Sequence, residues 1–232
     1  MLSDEVLERR KWKNKIYDKL LTNSILRLLP VYITKNTLTI DVGGNSGYQT
    51  YFHAKYNNVV TYEPVPGLFK VLKANLKGLD NVTLINKAVS DSNKTITLHV
   101  DLNRLSMTSQ IPLVDSKPIE VQGVALDEEG HENVGFIKID VEGFELDVLK
   151  GATKLIERDR PTMMVEIYQP WCEKVGFDSR EIFEFFADRK YSIAYYDCEK
   201  IQMVDCDIDQ AVQAVHDKHD LHDGDFLFIP NS

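Results

Sequence analysis

The residues best suited to chemistry are charged side chains that interrupt an apolar segment. Residues 136–143 read F-I-K-I-D-V-E-G, so Lys138 and Asp140 stand in a segment that otherwise predicts a buried central strand. Side chains alternate between the faces of a strand, which places Lys138 and Asp140 on one face, with Glu142 following at the turn. A carboxylate at such a strand end can act as a general base, so Asp140 is our first candidate and Glu142 the second. Lys138 would hold the carboxylate in place, or assist a reacting hydroxyl by its charge.

The next apolar segment, residues 162–168, carries a single acid, Glu166. Burying an isolated charge is costly, so these charges must pair or take part in a reaction. A pair between Lys138 and Glu166, or between Lys138 and Asp140, would satisfy both partners. One interpretation is a buried ion pair that only fixes strand register, and the other is an acid–base cluster at the sheet edge. The position of Asp140 at a carboxyl strand end favours the cluster, with Glu166 contacting the substrate.

A glycine-rich turn lies upstream, in residues 38–48, which read L-T-I-D-V-G-G-N-S-G-Y. Alternating apolar residues before the glycines predict a strand, and the aromatic spacing after them predicts a helix. Strand, glycine turn and helix together are typical of a nucleoside- or phosphate-binding turn. The dinucleotide pattern G-x-G-x-x-G and the P-loop lysine are both absent. An acid at the strand end would repel a pyrophosphate and suits a cationic, hydroxyl-rich ligand such as S-adenosylmethionine, held by Asp41, Gly43, Asn45 and Gly47.

A second acid supports a nucleoside ligand. The next predicted strand ends at Glu63-Pro64, roughly twenty residues after the glycine turn, where an acid can accept hydrogen bonds from both ribose hydroxyls. Residues 82–88 predict a third strand, and Ala88 and Val89 near its carboxyl end would lie along the adenine ring. The alternative is that each acid only caps a turn or ends a solvated strand.

Composition excludes several classes of protein. The 232 residues are 43% hydrophobic, which is enough for one well-buried α/β domain. A net charge of -9 repels phosphate backbones, so we expect no nucleic-acid partner. Three cysteines without a C-x-x-C pair indicate neither a disulfide framework nor a zinc knuckle. No apolar run is long enough to span a bilayer and residues 1–30 lack a signal-peptide pattern, so we expect a cytoplasmic protein.

The patterns divide the chain into an N-terminal helical extension, residues 1–30, and a main domain, residues 31–232. Apolar residues recur at helical spacing through residues 3–29, and Pro30 ends the run. A basic patch within residues 9–15 is either a solvated helix face or a docking surface.

The middle of the main domain predicts a hairpin-like pair of strands. Residues 95–100 alternate as an antiparallel strand, and residues 119–124 have a pattern that can pair with it. The polar loop between them includes Arg104 and Ser106, which we assign to the substrate because long loops on compact domains tend to be functional or disordered. The alternative is a plain surface loop.

The tail predicts a helix over residues 179–189, then strands over 191–196 and 226–229, the closing pair being antiparallel. Three histidines within residues 216–222 recur at every third position, drift around a helix axis and would not converge on a metal. We therefore predict no metal site there, although the carboxylates of the central segments leave a metal requirement open.

Together these motifs resemble those of the FkbM-type S-adenosylmethionine-dependent methyltransferases. The resemblance rests on D-V-G-G-N-S-G-Y (41–48), E-P (63–64), A-V-S-D (88–91), I-K-I-D-V-E-G-F-E-L-D-V-L-K-G-A (137–152) and V-E (165–166). It covers residues 37–168, and its long fourth motif is the most specific. The family commonly has D-V-G-A-N at the first turn, and here Gly44 replaces the alanine, a change that removes only a methyl group.

The resemblance implies an α/β, Rossmann-like class I methyltransferase fold. Such a fold has a seven-stranded, mostly parallel sheet with an antiparallel last strand and helices on both faces. The resemblance also implies O-methylation, with S-adenosyl-L-methionine as cofactor and a hydroxyl of a small molecule, sugar or glycan as acceptor. Fold alone does not establish function, so the matched site residues carry more weight. The oligomeric state does not follow from the sequence.

Other functions stay open at this point. A catalytically inactive nucleoside-binding or interaction protein would keep the same fold, but the intact acids at every matched position favour an enzyme. A nicotinamide-dependent oxidoreductase is disfavoured by the missing G-x-G-x-x-G pattern. The third alternative is an interaction module that works through the N-terminal helix.

Overall fold

The computed structural model describes residues 25–101, 108–109, 116–197, 200–217 and 224–231. Within these ranges the strands are β1 (Leu38–Val42), β2 (Asn58–Tyr62), β3 (Val82–Ile85), β4 (Ala88–Val89), β5 (Lys94–Asp101), β6 (Thr108–Ser109), β7 (Ser116–Val124), β8 (Val134–Ile139), β9 (Thr162–Glu166), β10 (Tyr191–Asp197), β11 (Gln202–Cys206) and β12 (Asp225–Pro230). The α-helices are α1 (Tyr48–His53), α2 (Pro66–Asn75), α3 (Glu145–Lys150), α4 (Thr153–Asp159), α5 (Gln169–Val175), α6 (Arg180–Asp188) and α7 (Ile208–Asp217). Short 3-10 turns lie at Ile25–Arg27, Leu29–Val31 and Leu126–Glu128.

The main sheet has the strand order β11-β10-β12-β9-β8-β1-β2-β3. Neighbours from β9 to β3 pair in parallel, whereas β12 is antiparallel to both β9 and β10. The mostly parallel sheet with an antiparallel last strand is therefore confirmed. An eighth strand, β11, extends the edge beyond the seven that were predicted. Its side chains are exposed or half-buried, so its sequence lacks the clear apolar alternation that marks the other strands.

The centre of this sheet is buried on both faces. All six residues of β8 are buried, and Ile137 and Ile139 point into one core while Phe136 points into the other. The first core is closed by side chains from α3, α4 and α6, among them Leu149, Ile156 and Phe183. The second core is closed by Phe52 of α1 and by the segment around Ile25 and Leu29. Helices on both faces allow central strands to be almost continuously apolar, which is why charges within them stand out.

A second, four-stranded sheet has the order β4-β7-β5-β6. Strands β5 and β7 pair in antiparallel fashion with Thr95 opposite Gln122, as the alternating sequence predicts. The sheet stands beside the carboxyl end of β3, where it walls one side of the site described below.

The predicted third strand over residues 82–88 is too long. Strand β3 ends at Ile85, and Ala88 and Val89 form β4 in the second sheet. The break coincides with Asn86, whose side-chain amide donates to the carbonyl oxygens of Glu63 at 2.8 Å and Pro64 at 3.0 Å. The side-chain bonds tie the chain to the end of β2 and turn it away from the ladder.

The helix predicted over residues 3–29 is wrong at its end. Residues 25–31 form two 3-10 turns, and Pro30 lies inside the second of them. Proline is accepted at such a position because its missing N–H has no ladder partner to lose. Residues 1–24, which include the basic patch, lie outside the described residues, and the division at residue 30 stays a prediction. No helix in the described ranges is long and apolar enough to cross a membrane.

The tail agrees with its sequence pattern in three elements, α6, β10 and β12, and adds α5, α7 and β11. His216 lies exposed in the last turn of α7, while the other two histidines of the repeat fall outside the described residues. Among the residues that the structure describes, no group of three or more His, Cys, Asp or Glu side chains has metal-site geometry.

Candidate functional site

A cleft opens at the carboxyl ends of β1, β2 and β8, the edge at which open α/β sheets bind their ligands. It contains about 700 Å3 of space, part of it open to solvent. Its walls are formed by Val42, Gly43, Asn45, Tyr62, Glu63, Pro64, Val65, Leu68, Lys87, Ala88, Val89, Leu98, Asp140, Val141, Glu142 and Phe144.

Eight of the residues proposed from sequence lie in this wall, namely Gly43, Asn45, Glu63, Pro64, Ala88, Val89, Asp140 and Glu142. Four others stand outside it, namely Asp41, Gly47, Lys138 and Glu166. The loop residues Arg104 and Ser106 lie outside the described residues, so their assignment to the substrate stays a prediction.

The glycine turn is wound tightly against its neighbours. The amides of Gly43 and Gly44 both donate to the carbonyl oxygen of Tyr62, at 3.0 and 2.9 Å. Gly43 has a φ of +88°, and a Cβ there would overlap the backbone carbonyl of Asp140. Glycine is therefore required at this position both by conformation and by the close approach of the β8 end.

Gly44 has a different reason to be glycine. A Cβ there would overlap the Cγ2 methyl of Thr61, which fills the space that an alanine side chain would take. The substitution of the family's usual alanine is thus not a simple loss of a methyl group. In this chain a methyl group of the neighbouring strand occupies that space, so the two positions are coupled by packing.

Glu63 ties the glycine turn to the end of β2. Its carboxylate accepts the amide of Asn45 at 2.8 Å through Oε2 and the amide of Val65 at 2.8 Å through Oε1. Burial raises the pKa of Glu63 to about 7, against the lowering effect of those two hydrogen bonds. A carboxylate has about four acceptor sites, so two amides leave room for two hydroxyl donors from the cleft side.

Asp41 lies beneath the turn rather than in the cleft. The carboxylate is fully buried, and its Oδ2 accepts a 2.6 Å hydrogen bond from the hydroxyl of Thr50 in α1. Its Oδ1 stands 3.4 Å from the ammonium of Lys138. The register of β1 and β8 places Asp41 directly opposite Lys138, so this ion pair follows from the strand alignment.

Lys138 is the centre of the buried charges. Its side chain is 3% exposed, and its ammonium lies 3.2 Å from Asp140 Oδ2 and 2.8 Å from the carbonyl oxygen of Gly43. Burial alone would lower the pKa of Lys138, but the charges of Asp140 and Asp41 outweigh it and raise the pKa, so the ammonium stays charged. The pair with Asp140 was one of the two expected from sequence, whereas Asp41 as second partner was not.

Asp140 is joined to Glu166 by a side-chain hydrogen bond. Burial opposes ionisation of Asp140, but the charge of Lys138 and the hydrogen bond with Glu166 lower its pKa below the usual range. Burial and the neighbouring charge of Asp140 raise the pKa of Glu166 far above its usual range. The two carboxyl groups therefore hold one proton at neutral pH, with Glu166 donating to an ionised Asp140.

The turn after β8 has an unusual backbone. Glu142 has a φ of +52° and Gly143 a φ of +100°. A left-handed conformation at a non-glycine residue costs roughly 1–3 kcal/mol and persists only where the surroundings fix it. Such strain commonly accompanies functional positions, and Glu142 stands in the cleft wall.

Sequence reasoning missed part of the apolar side of the cleft. Val65, Leu68, Leu98 and Phe144 line it from α2, β5 and the start of α3. Val65 directly follows Glu63-Pro64, so proximity to the acid was an available signal, whereas Leu98 reaches the site only through the second sheet. Lys87 was also missed; it lines the cleft, and its ammonium lies 3.0 Å from Glu129 Oε1.

Comparison with known proteins identifies the family. The Methyltransferase FkbM domain matches residues 41–193. The hexuronic acid methyltransferase AglP of Haloferax volcanii is 27% identical over 171 residues, which are 72% of this chain and 69% of that protein.

A crystal structure of the methyltransferase FkbM from Methylobacillus flagellatus KT superposes with a TM-score of 0.51 at 16% identity, a likeness of fold alone. The superposition covers 83% of this chain and 43% of the other, so this chain spans less than half of that protein's length. The match to the family domain extends over more than half of the 232 residues and includes every residue of the cleft wall. The chain belongs to the FkbM methyltransferase family.

Proposed function

We propose that this chain is an S-adenosylmethionine-dependent O-methyltransferase whose acceptor is a hydroxyl of a sugar or glycan. The observation that carries the proposal is the cleft in which the glycine turn and Glu63 stand beside the side chain of Asp140. Membership of the FkbM family supports methyl transfer, and the name of the Haloferax relative supports a sugar as the acceptor class.

The residues of the cleft fit S-adenosylmethionine. Glu63 offers two remaining acceptor sites to ribose hydroxyls, and Val65, Leu68 and Val89 offer an apolar surface to the adenine. Asp140 contributes negative charge, which suits a cationic ligand. When bound, this cofactor supplies a methyl group on a positively charged sulfur, ready for attack by a nucleophile.

Asp140 is the group that we assign to proton removal from the acceptor. Its side chain is 34% exposed and lines the cleft, so a hydroxyl can reach it. A carboxylate with a lowered pKa is a weak base towards a free alcohol. As the acceptor oxygen gains a methyl group, however, its proton becomes strongly acidic, and a weak carboxylate can then accept it. Orientation of the hydroxyl by Asp140 would contribute to the rate independently of base strength.

The neighbours of Asp140 act through it. Lys138 is too deeply buried to touch an acceptor, so we assign it to holding Asp140 and the Gly43 carbonyl in place. Glu166 was assigned to the substrate from the sequence. In this proposal it carries the proton of the hydrogen bond to Asp140 and so fixes the orientation of that carboxylate. Glu142 is the second candidate for the base, because it also lines the cleft.

The experiment that tests the proposal has two stages. Isothermal titration with S-adenosylmethionine and S-adenosylhomocysteine, with NAD as control, should give micromolar binding of the first two and none of NAD. Transfer of a labelled methyl group to a panel of neutral, amino and uronic sugars should then identify the acceptor class. Absence of binding to either sulfur compound would overturn the proposal. Binding without transfer to any acceptor would favour the alternative, a catalytically inactive nucleoside-binding protein.

A further inference from the structure

The turn formed by Val141, Glu142 and Gly143 contains two residues that line the cleft, Val141 and Glu142. Its left-handed backbone requires stabilising contacts from its surroundings. Glu142 has a φ of +52° although it is not a glycine. On one side the turn packs on α5, where a Cβ at Gly143 would lie 3.1 Å from the Cβ of Trp171. That contact limits the turn from outside but makes no hydrogen bond to it.

The hydrogen bonds come from Glu145, the first residue of α3. Its carboxylate accepts the amide of Gly143 at 3.0 Å through Oε1 and 3.1 Å through Oε2, and the amide of Val141 at 3.3 Å. The residue is 2% exposed, so water does not compete with the carboxylate for these two amides. Because these amides flank Glu142, the carboxylate fixes the segment on both sides of the strained residue.

We propose that Glu145 is a positioning residue of the methyl-transfer reaction, which locks the turn over residues 141–143 and so sets the placement of Glu142 and of the end of β8. The inference rests on the proposed function, because the rate that it affects is that of methyl transfer. Glu145 does not line the cleft, so its effect passes through the backbone of the turn.

The ionisation of Glu145 should control this lock. An ionised carboxylate accepts from both amides, whereas a protonated one carries an O–H that competes with them. Burial raises the pKa of Glu145 to about 7, in spite of the amides of residues 145, 143 and 141 and with a further rise from the charge of Asp140. The thiol of Cys172 in α5 also faces the carboxylate and stays neutral, since burial raises its pKa to about 12. Activity should therefore rise with pH through about pH 7.

Glu63 is a second buried acid whose pKa is raised to about 7, so its effect on the pH dependence must be distinguished from that of Glu145. Glu63 accepts amides of the glycine turn and should affect cofactor binding. Glu145 holds the turn on the other side of the cleft and should affect turnover when cofactor is saturating. A split between the dissociation constant of the cofactor and kcat therefore assigns each effect to its residue.

The test compares Glu145→Gln with Asp147→Asn, a matched control in the same helical turn that bonds to none of the three turn residues in the described contacts. Glutamine keeps the shape but turns an N–H₂ group towards the amides. We expect Glu145→Gln to lower kcat about tenfold or more, to leave cofactor affinity within about twofold, and to lose the rise near pH 7. Asp147→Asn should keep the wild-type profile.

A rate and pH profile of Glu145→Gln equal to those of the wild type would overturn the inference. A loss of cofactor affinity as large as the loss of kcat would also overturn the inference, because it would indicate disruption of the whole cleft. Amide hydrogen exchange at Val141 and Gly143 provides a readout that needs no activity, and it should be at least about tenfold faster in Glu145→Gln than in Asp147→Asn. Unchanged exchange would refute the role of Glu145 even if the protein proved inactive, whereas failure of the wild type to bind cofactor refutes only the proposed function.

A second variant tests whether Glu145 acts on the strained residue itself. Glycine adopts positive φ without strain, so Glu142→Gly should remove part of the need for the lock. In that background Glu145→Gln should accelerate amide exchange less than it does in the wild type. An equal acceleration in both backgrounds would show that Glu145 does not restrain the strained residue.

Discussion

The ammonium of Lys138 lies 2.8 Å from the carbonyl oxygen of Gly43, which joins the charged strand β8 to the glycine turn of β1. The same ammonium contacts Asp41 beneath the turn and Asp140 at the cleft. One buried cation thus fixes the distance between the part of the site that would hold the cofactor and the part that would hold the acceptor. We therefore assign Lys138 a positioning role, because almost none of its surface is open to a ligand.

Replacing Lys138 should destabilise the fold. Lys138→Met leaves Asp41 and Asp140 without their cation, and breaking such a buried pair typically costs about 3–5 kcal/mol. Denaturant unfolding should show this loss, and Lys150→Met, at an exposed lysine of α3, should show almost none. In an Asp41→Asn background the cost of Lys138→Met should be smaller, because one of the two stranded charges is gone. A cost that is the same in both backgrounds would mean that the ion pair between Asp41 and Lys138 contributes nothing.

Replacing Asp140 should stop turnover without preventing cofactor binding. Asp140→Asn keeps the size of the side chain but removes the acceptor of the proton, and general bases typically contribute about 10²–10⁴ in rate. Transfer of labelled methyl groups, together with titration of the cofactor, measures both effects. Asp80→Asn, at an exposed acid, serves as the control. Wild-type turnover in Asp140→Asn would remove the assignment of this residue as the base and direct attention to Glu142.

Gly44 and Thr61 should behave as a coupled pair. Gly44→Ala forces a methyl group against the Thr61 side chain, and overpacking of this kind costs roughly 1–3 kcal/mol. Thr61→Ser removes the obstructing methyl but keeps the hydroxyl that donates to Thr50 at 3.3 Å. The double variant should therefore recover much of the stability lost by Gly44→Ala. Strictly additive free energies of unfolding would show that the two positions are independent.

His53 should make the protein sensitive to acid. Its ring is fully buried against Phe136, and burial lowers its pKa from 6.5 to about 4. The folded state binds this proton less well than the unfolded state, so its contribution to stability is complete above pH 6.5 and is lost as pH falls towards about 4. The shift corresponds to roughly 3 kcal/mol.

The measurement for His53 is the free energy of unfolding at several pH values. His53→Phe should flatten its dependence on pH between about 4 and 6.5 relative to the wild type. His216→Gln, at an exposed histidine of α7, should keep the wild-type slope. Parallel curves for the wild type and His53→Phe would contradict the prediction.

Cofactor affinity should depend on the ionisation of Glu63. Its pKa is raised to about 7 by burial, so below that pH the carboxyl group is neutral and a poorer acceptor for ribose hydroxyls. Affinity for S-adenosylmethionine should therefore weaken as pH falls through about 7, and Glu63→Gln should remove this dependence. Calorimetric titration across this pH range provides the test. The same slope in Glu63→Gln and the wild type would assign the effect to another group.

The raised pKa of Glu63 also has a consequence for stability. The folded state holds this proton more tightly than the unfolded state does, so the stabilising contribution is present at low pH and is lost as pH rises towards about 7. The pH dependence that Glu63 gives to the free energy of unfolding is opposite in sign to that of His53. The two contributions are distinguished by comparing the free energy of unfolding of each variant with that of the wild type.

From its strand patterns and its resemblance to the FkbM family, the sequence by itself predicted the mostly parallel sheet, the edge at which the cleft lies and most of the polar wall of that cleft. Strand periodicity and glycine placement are local signals, and the rule that ligands bind at carboxyl strand ends converts them into a site. Gly43, Glu63 and Asp140 follow different strands, yet each was expected at the same edge and each lies in the same wall. The acid-rich central segment was recognisable because charges stand out within an otherwise apolar strand.

Only the tertiary structure decided what each charged group does there. Asp41 and Lys138 meet because β1 and β8 align in one register, and Glu166 keeps a proton because burial and Asp140 act on it together. Gly44 is matched to Thr61 across two strands, and burial of Glu145 directs its carboxylate to the amides of the turn before it. Register, burial and packing depend on residues far apart in the chain, so no local pattern in the sequence encodes them.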